Sequence, residues 1–145
     1  MNLNKYLENC YNYSSLSRNF DNSVFKLIKK KKINFPVYLS AGQEYVAISI
    51  AMIMKKNNLK PLLFGQHRCH SIYIGFGGNI EKLILEFTGS KKGCSFGKGG
   101  SLGLQSKEIG MFGHDGFMGS NASIGIGACF SSRKPTIIFL GDASV

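Results

Sequence analysis

The sequence predicts an α/β fold in which helices flank a parallel β-sheet. Residues 135–140 (PTIIFL) form an apolar, partly β-branched run of strand length with no polar face. Segments whose apolar residues have helical spacing lie before this run. A strand that is apolar on both faces needs cover on both faces, which parallel sheets obtain from layers of helices. We therefore expect this strand to belong to a parallel sheet.

Length and composition bound the class of protein. The 145 residues suffice for one domain, and the 43% hydrophobic content excludes the intrinsically disordered class. The longest apolar run, 46–54, is far shorter than the roughly 20 residues that span a bilayer, and residues 1–8 are polar. The four scattered cysteines form no CxxC pair. We expect a cytoplasmic protein with free thiols and no membrane segment.

The amino-terminal part is rich in lysine and poor in glycine. Spaced apolar residues predict one or two exposed helices, which we assign to an amino-terminal helical extension over residues 1–35. The cations of Lys29 to Lys32 suit a helix carboxyl terminus. After Pro36 we expect a further helix, whose body at 45–56 is so apolar that burial on most sides is predicted.

Residues 36–145 form the predicted main domain. We expect an amphipathic helix at 79–88, with Gly89 as its stop, and a helix of small residues at 120–130. The segment 89–120 between them is rich in glycine and lacks periodicity. A loop of this length in a compact domain usually serves a function.

Asp142 directly follows the predicted strand and its glycine. The carboxyl ends of parallel strands form the ligand-binding edge of such sheets, and a carboxylate there suits Mg²⁺ or Ca²⁺. Aspartate is also a favoured helix N-cap after a strand. The residue alone leaves both roles open.

The glycine-rich stretch 93–101 is a candidate anion site. It lacks the Walker spacing, because three residues rather than four separate Gly93 from Gly97 and a glycine follows Lys98. Its backbone amides could still face an anion, or the stretch could be a flexible surface loop.

Residues 67–70 (HRCH) concentrate two imidazoles, a guanidinium and a thiol. Zinc is disfavoured because His114 is the only other histidine. Arg68 suits a phosphate, since its guanidinium is a permanently charged fork of donors, or else a structural ion pair. The lysines at 29–32 could contact nucleic acid, but no aromatic pattern accompanies them, so we expect a solvated helix end and no nucleic acid partner.

The order of the motifs is more informative than any one of them. In sequence they are Gly42-Gln43-Glu44, His67-Arg68-Cys69-His70, Glu86-Phe87-Thr88-Gly89, GKGGS at 97–101, IGMFGHDGFMG at 109–119 and Gly141-Asp142. In this order, over about residues 36–145, the chain resembles the α subunit of 2-oxo acid dehydrogenase E1 components. The pyruvate, branched-chain and acetoin dehydrogenases belong to this thiamin-diphosphate-dependent family.

The resemblance implies a thiamin-diphosphate-binding fold, here its pyrophosphate-binding domain, with thiamin diphosphate and Mg²⁺ as cofactors. In the family a Tyr-Arg pair holds the diphosphate; Arg68 matches the arginine, and His67 replaces the tyrosine but can still donate a hydrogen bond. Asp142 matches the first protein ligand of Mg²⁺. The positions that match cofactor-binding residues are His67, Arg68, Gly116, Met118, Gly141, Asp142, Ala143 and Ser144.

Two further departures from the family pattern affect residues that would handle protons or the substrate. The catalytic histidine that precedes the GQE motif is Tyr38 here, and the histidine of the GKGGSMH motif is Gly103. His70 and Tyr38 remain as candidate catalytic residues. Because the family's cofactor motif continues past the position of Val145 to a second metal ligand, we expect an amino-terminal fragment, incomplete at its carboxyl terminus.

The resemblance also implies partners. They are an E1-β-like subunit or a pyrimidine-binding domain, within a heterotetramer, a 2-oxo acid substrate, and a lipoyl-bearing E2 as a possible acceptor. Two functions stay open at this point. One is an enzyme component that decarboxylates a 2-oxo acid and transfers the acyl or aldehyde unit, favoured by the ordered motifs. The other is a non-catalytic remnant or interaction module of the same fold, favoured by the missing imidazoles.

Overall fold

The computed structural model describes residues 2–142 as five α-helices and three β-strands. In chain order they are α1 (Leu3–Lys29), α2 (Glu44–Lys56), β1 (Leu62–Phe64), α3 (His70–Gly75), α4 (Ile80–Phe87), β2 (Met111–Phe112), α5 (Ser120–Ser132) and β3 (Thr136–Ile138). The predicted α/β class is confirmed. Within this described part, none of the helices has both the length and the apolar composition that a bilayer crossing requires.

The sheet is parallel throughout, with β1 between β2 and β3. Leu63 of β1 lies opposite Met111 on one side and Ile137 on the other, and all three belong to the hydrophobic core that α1, α3 and α4 help to form. Neighbouring residues of β1 and β3 point to the opposite face, where α5 packs. The predicted strand and its cover on both faces are therefore confirmed.

Helix α1 confirms the expected amino-terminal helix, as one helix rather than two, but corrects its expected exposure. It is a single helix of 27 residues, begun by the side chain of Asn2, which accepts a hydrogen bond from the amide of Asn4 at 3.1 Å. Its last residue, Lys29, lies where the lysine run predicted a helix end. Phe20 and Val24 on its inner face are buried in the main core, so α1 packs directly onto the residues that follow Pro36.

Helix α2 spans the predicted residues, but its predicted burial on most sides is wrong. Ala47, Ile48, Ala51 and Met52 are buried against α1 and α3, as expected. The apolar residues of the opposite face are 45 to 62% exposed, because no described element packs against them: they are Tyr45, Val46 and Ile53.

Helix α4 confirms the predicted amphipathic segment. The side chain of Asn79 caps its amino end by accepting a hydrogen bond from the amide of Lys82 at 3.0 Å, and Gly89 ends it with a φ of +71°. The long loop that follows is mostly irregular, as predicted. It also contains one 3-10 turn at Lys107–Ile109 and the short strand β2.

Helix α5 approaches the sheet through Gly125. A β-carbon at this position would lie 2.7 Å from Cδ1 of Ile138 and 3.3 Å from the ring of Phe64. We expect Gly125→Ala to lower the free energy of unfolding by about 1 to 2 kcal/mol through overpacking. The matched control is Gly127→Ala, where the added methyl meets open space and helix propensity predicts a gain of about 0.5 to 1 kcal/mol. Urea denaturation measures both, and equal gains would contradict close packing at Gly125.

Candidate functional site

A cleft of about 640 Å³ lies at the carboxyl ends of β1 and β3. Parallel strands place these ends at the same edge of the sheet, so the loops that follow them meet there. The first turns of α2 and α3 and the segment before α5 complete the walls. Five residues proposed from the sequence line this one cleft, namely His67, Arg68, Met118, Gly141 and Asp142.

Arg68 and Asp142 bring opposite charges to the cleft. Arg68 is exposed and forms no ion pair with any carboxylate of residues 2–142, so the structural ion pair considered for it is not made there. Its guanidinium donors are available to a bound anion. Asp142 is also exposed. Whether it caps a helix depends on residues 143–145, which lie outside the described part of the chain together with the predicted cofactor-binding residues Ala143 and Ser144.

His67 supplies a neutral imidazole to the cleft. Partial burial, together with the nearby His114 and Arg68, holds the pKa of His67 below its ordinary value. The ring therefore stays uncharged at neutral pH and offers one N–H donor. It packs edge-on against the ring of Tyr38, at 4.6 Å between centroids, and lies 6.0 Å from the ring of His114.

Two of the proposed residues lie beside the cleft rather than in its lining. Tyr38 lines a neighbouring cavity of about 390 Å³, which it shares with the glycine-rich loop. Gly116 lies in an exposed turn with a φ of +104°, and its amide donates to Nδ1 of His114 at 2.8 Å. The Tyr38 ring reaches the cleft only through its contact with His67.

His70, proposed as a catalytic residue, is completely buried. Its Nδ1 lies 2.6 Å from Oδ1 of Asp21, and its Nε2 lies 3.1 Å from Oγ of Ser101. The ring edges of Phe20 and Phe87 enclose it. In this structure His70 makes no direct contact with the cleft, because its polar atoms are engaged inside the protein.

The glycine-rich loop already has an anion, which the chain itself supplies. Glu86 of α4 is buried, and its Oε2 accepts hydrogen bonds from the amides of Ser95 and Gly97 at 2.7 and 2.9 Å. Its Oε1 accepts from the amides of Gly99 and Gly100 at 2.8 and 3.1 Å. Both interpretations of the loop therefore need correction: its amides do face an anion, but that anion is a side chain.

Sequence reasoning missed the structural role of Glu86, although a signal for it existed. Leu83 and Phe87 form the buried face of the amphipathic helix α4, and Glu86 lies on the same face. A carboxylate on an apolar face requires buried donors, and a glycine-rich segment that follows is a source of backbone amides.

Among the described residues, no three His, Cys, Asp or Glu side chains are grouped so that they could hold a metal ion. The pair of imidazoles in 67–70 diverges, since His67 lines the cleft and His70 points into the core. Asp142 is thus a single carboxylate at the cleft, and a metal bound there would need further ligands.

A comparison of the sequence with protein families identifies the family. The profile of the dehydrogenase E1 component family matches residues 11–144. The chain belongs to this family. The match begins inside α1 and runs through the cleft residues, so most of the chain is E1-like.

Curated relatives in this family are α subunits of pyruvate dehydrogenase. The protein of this name from Chaetomium thermophilum is 30% identical over 97% of this chain, and that from Solanum tuberosum is 34% identical over 80%. The protein from Saccharomyces cerevisiae is 32% identical over 74%. The matched regions cover 34, 29 and 24% of these relatives, so the chain spans about a third of their length or less.

The relatives correct one expectation. All three are named as mitochondrial proteins. The cytoplasmic location predicted for this chain is therefore wrong, because its family members point to the mitochondrion. The prediction had rested on the polar residues 1–8 and on the four scattered cysteines, and neither feature distinguishes the cytoplasm from the mitochondrion.

Proposed function

We propose that this chain supplies the diphosphate-binding side of a thiamin-diphosphate-dependent enzyme that acts on a 2-oxo acid. One observation carries the proposal. In a chain of the dehydrogenase E1 component family, a single cleft at the ligand-binding edge of the sheet holds a carboxylate and a guanidinium that forms no ion pair within residues 2–142. These are the two charges that a complex of a diphosphate with a divalent cation requires.

The residues present fit such a complex. The fork of Arg68 can bind two phosphoryl oxygens, and His67 can donate one hydrogen bond without adding charge. Asp142 would hold Mg²⁺, a hard cation that prefers carboxylate oxygen and is shared with the phosphates. The apolar lining, which includes Val46, Met118 and Phe139, would contact the uncharged rings and limit the access of water.

Thiamin diphosphate supplies an electron sink for the carbanion that remains when a 2-oxo acid loses carbon dioxide. The residues of this chain would hold and orient this cofactor. Arg68 and Asp142 anchor the diphosphate end, and the segment at Gly116 to Met118 would position the ring at the other end. Tyr38, whose ring packs against that of His67, carries a hydroxyl that would be a candidate for proton transfer.

The partners follow from the same proposal. An E1-β-like subunit or a pyrimidine-binding domain would close the open side of the cleft within a heterotetramer. The apolar rim supports this, because Phe117 is 76% exposed and Val46 is 62% exposed. The substrate class is a 2-oxo acid, with pyruvate as the first choice because the relatives are named for it. The acceptor would be a lipoyl-bearing E2.

The test is a calorimetric titration of thiamin diphosphate, with and without Mg²⁺, into the chain assembled with the subunits that co-purify with it. We expect Asp142→Asn to weaken binding at least tenfold in Mg²⁺ and to remove most of the Mg²⁺ dependence. Arg68→Gln is expected to weaken binding about tenfold with or without the metal.

The matched controls are Glu81→Gln and Arg133→Gln, which remove exposed charges away from the cleft and are expected to bind normally. Unchanged affinity in both cleft variants would refute the assigned roles of Arg68 and Asp142. Failure of the unmodified assembled protein to bind would favour the alternative, a non-catalytic remnant or interaction module of the same fold.

A further inference from the structure

A buried row of polar side chains lies behind the cleft. It runs from Asp21 of α1 through His70 of α3 to Ser101 of the glycine-rich loop, with distances of 2.6 and 3.1 Å between the polar atoms. All three residues are at most 1% exposed. The row connects three segments that are far apart along the chain.

Ser101 ends the row at the backbone of two residues near the cleft. Its Oγ lies 3.1 Å from the amide nitrogen and from the carbonyl oxygen of Tyr38, and 3.2 Å from the carbonyl oxygen of His67. One hydroxyl therefore joins the segment before α2 to the segment before α3. The rings of the two joined residues pack against each other at the cleft.

The number of available protons determines which groups of the row donate hydrogen bonds and which accept them. A hydroxyl has one proton to donate, and both carbonyls can only accept it. When the Ser101 proton goes to these carbonyls, Nε2 of His70 must donate to Oγ. Nδ1 of His70 and Oδ1 of Asp21 then share the second proton at 2.6 Å, so that the pair has no net charge. A neutral pair is the arrangement that burial favours, since the other carboxyl oxygen of Asp21 has no hydrogen-bond partner in the described structure.

The surroundings hold the row in place and exclude a nucleophilic role for Ser101. The rings of Phe20 and Phe87 contact the His70 ring edge-on at 5.4 and 5.3 Å. The thiol of Cys69 donates to the carbonyl oxygen of Ser101 at 3.4 Å, and burial raises the pKa of this thiol to about 12, so it stays protonated. A hydroxyl enclosed in this way cannot meet a substrate.

We propose that Asp21 and His70 are positioning residues, which act through Ser101 to set the relative positions of Tyr38 and His67 at the cleft. The cleft's function in this inference rests on the proposed function, but the positioning itself does not. Helix α1 thus controls the geometry of a site that it does not line.

The experiment compares Ser101→Ala and Asp21→Asn with Tyr73→Phe. The control removes a comparable hydrogen bond, from the Tyr73 hydroxyl to the carbonyl oxygen of Asn79 at 3.1 Å, which has no link to the row. The first readout is the NMR resonances of the His67 and Tyr38 rings in the full chain without ligand, since each ring feels the ring current of the other. The second is the affinity for inorganic pyrophosphate with Mg²⁺.

We expect both row variants to shift the His67 and Tyr38 resonances and to weaken pyrophosphate binding about tenfold, while the control changes neither. Asp21→Asn keeps the shape of the side chain and serves as the second variant if Ser101→Ala does not fold. Unshifted resonances in a folded row variant, or equal shifts in the control, would overturn the proposal. If the resonances shift but the unmodified protein, assembled with the subunits that co-purify with it, does not bind pyrophosphate, the proposed function is refuted and the positioning stands.

Discussion

Replacement of Glu86 by alanine is expected to lower the free energy of unfolding by about 4 kcal/mol or more. The change leaves four backbone amides, those of Ser95, Gly97, Gly99 and Gly100, without the carboxylate that accepts from them. Hydrogen bonds to a charged acceptor contribute about 1.5 to 3 kcal/mol each, and partly buried donors left unpaired add a desolvation cost. The loop cannot move closer to α4 to compensate, because Gly97 already lies against the backbone of Gly89, just after this helix.

The measurement is guanidinium denaturation followed by circular dichroism. Glu81→Ala is the matched control, because Glu81 belongs to the same helix and is exposed. We expect it to change stability by less than about 0.5 kcal/mol. A loss of stability in Glu86→Ala no larger than that in Glu81→Ala would show that the Glu86 carboxylate does not hold the loop.

Replacement of Glu44 by glutamine is expected to lower the free energy of unfolding by about 3 kcal/mol at neutral pH, and by progressively less as the pH falls. The carboxylate is 3% exposed and binds the guanidinium of Arg18 at 2.5 and 3.1 Å, which joins α2 to α1. It also accepts from the amide of Gly42 at 2.9 Å. Loss of the charge from a buried, paired carboxylate weakens all three hydrogen bonds.

The pH dependence follows from the direction of the pKa shift. Burial raises the pKa of Glu44, but the hydrogen bonds from Arg18 and from the backbone outweigh it, and the net pKa is lowered from its usual 4.5. A lowered pKa contributes stability that is complete above pH 4.5 and is lost as the pH falls through the folded-state value. The difference in stability between the unmodified protein and Glu44→Gln should therefore be greatest at neutral pH and vanish in strong acid.

Urea denaturation at several pH values measures this difference. Glu8→Gln is the matched control, because Glu8 pairs with Lys5 at 3.1 Å on the surface, where both side chains are more than half exposed. Exposed pairs contribute about 0 to 1 kcal/mol. A pH-independent loss of stability in Glu44→Gln, or an equal pH dependence in Glu8→Gln, would rule out the ion pair of Glu44 with Arg18 as the cause.

Much of the fold could be predicted because long segments have a clear periodicity. Helix α4 lies where the apolar spacing placed it, and α2, α5 and β3 lie where apolar or small-residue runs placed them. Strands β1 and β2 escaped prediction because their apolar residues, 62–64 and 111–112, do not belong to a run as long as 135–140, which revealed β3. The exposed face of α2 could not be predicted for a different reason. Composition shows how apolar a helix is, but the number of elements that pack against it depends on the whole fold.

The candidate site was predictable to the extent that local motifs define it. Arg68 and Asp142 were recognisable from their motifs, and the parallel sheet explains why loops 70 residues apart meet in one cleft. Asp21 and Ser101 could not be found in this way. Their hydrogen bonds with His70 span 49 and 31 residues, and no local pattern indicates which buried polar groups pair across such separations.

The carboxylate of Glu86 also determines how the glycine-rich loop opens. Glycine has the largest conformational freedom to lose on folding, so a free segment of this composition would fluctuate independently of the elements around it. Here one side chain of α4 ties four of its amides at once, and no amide can leave without exposing a buried charge. We therefore expect the glycine-rich loop to separate from α4 in a single cooperative step. The loop has no regular secondary structure, yet this attachment gives it the local stability of a helix.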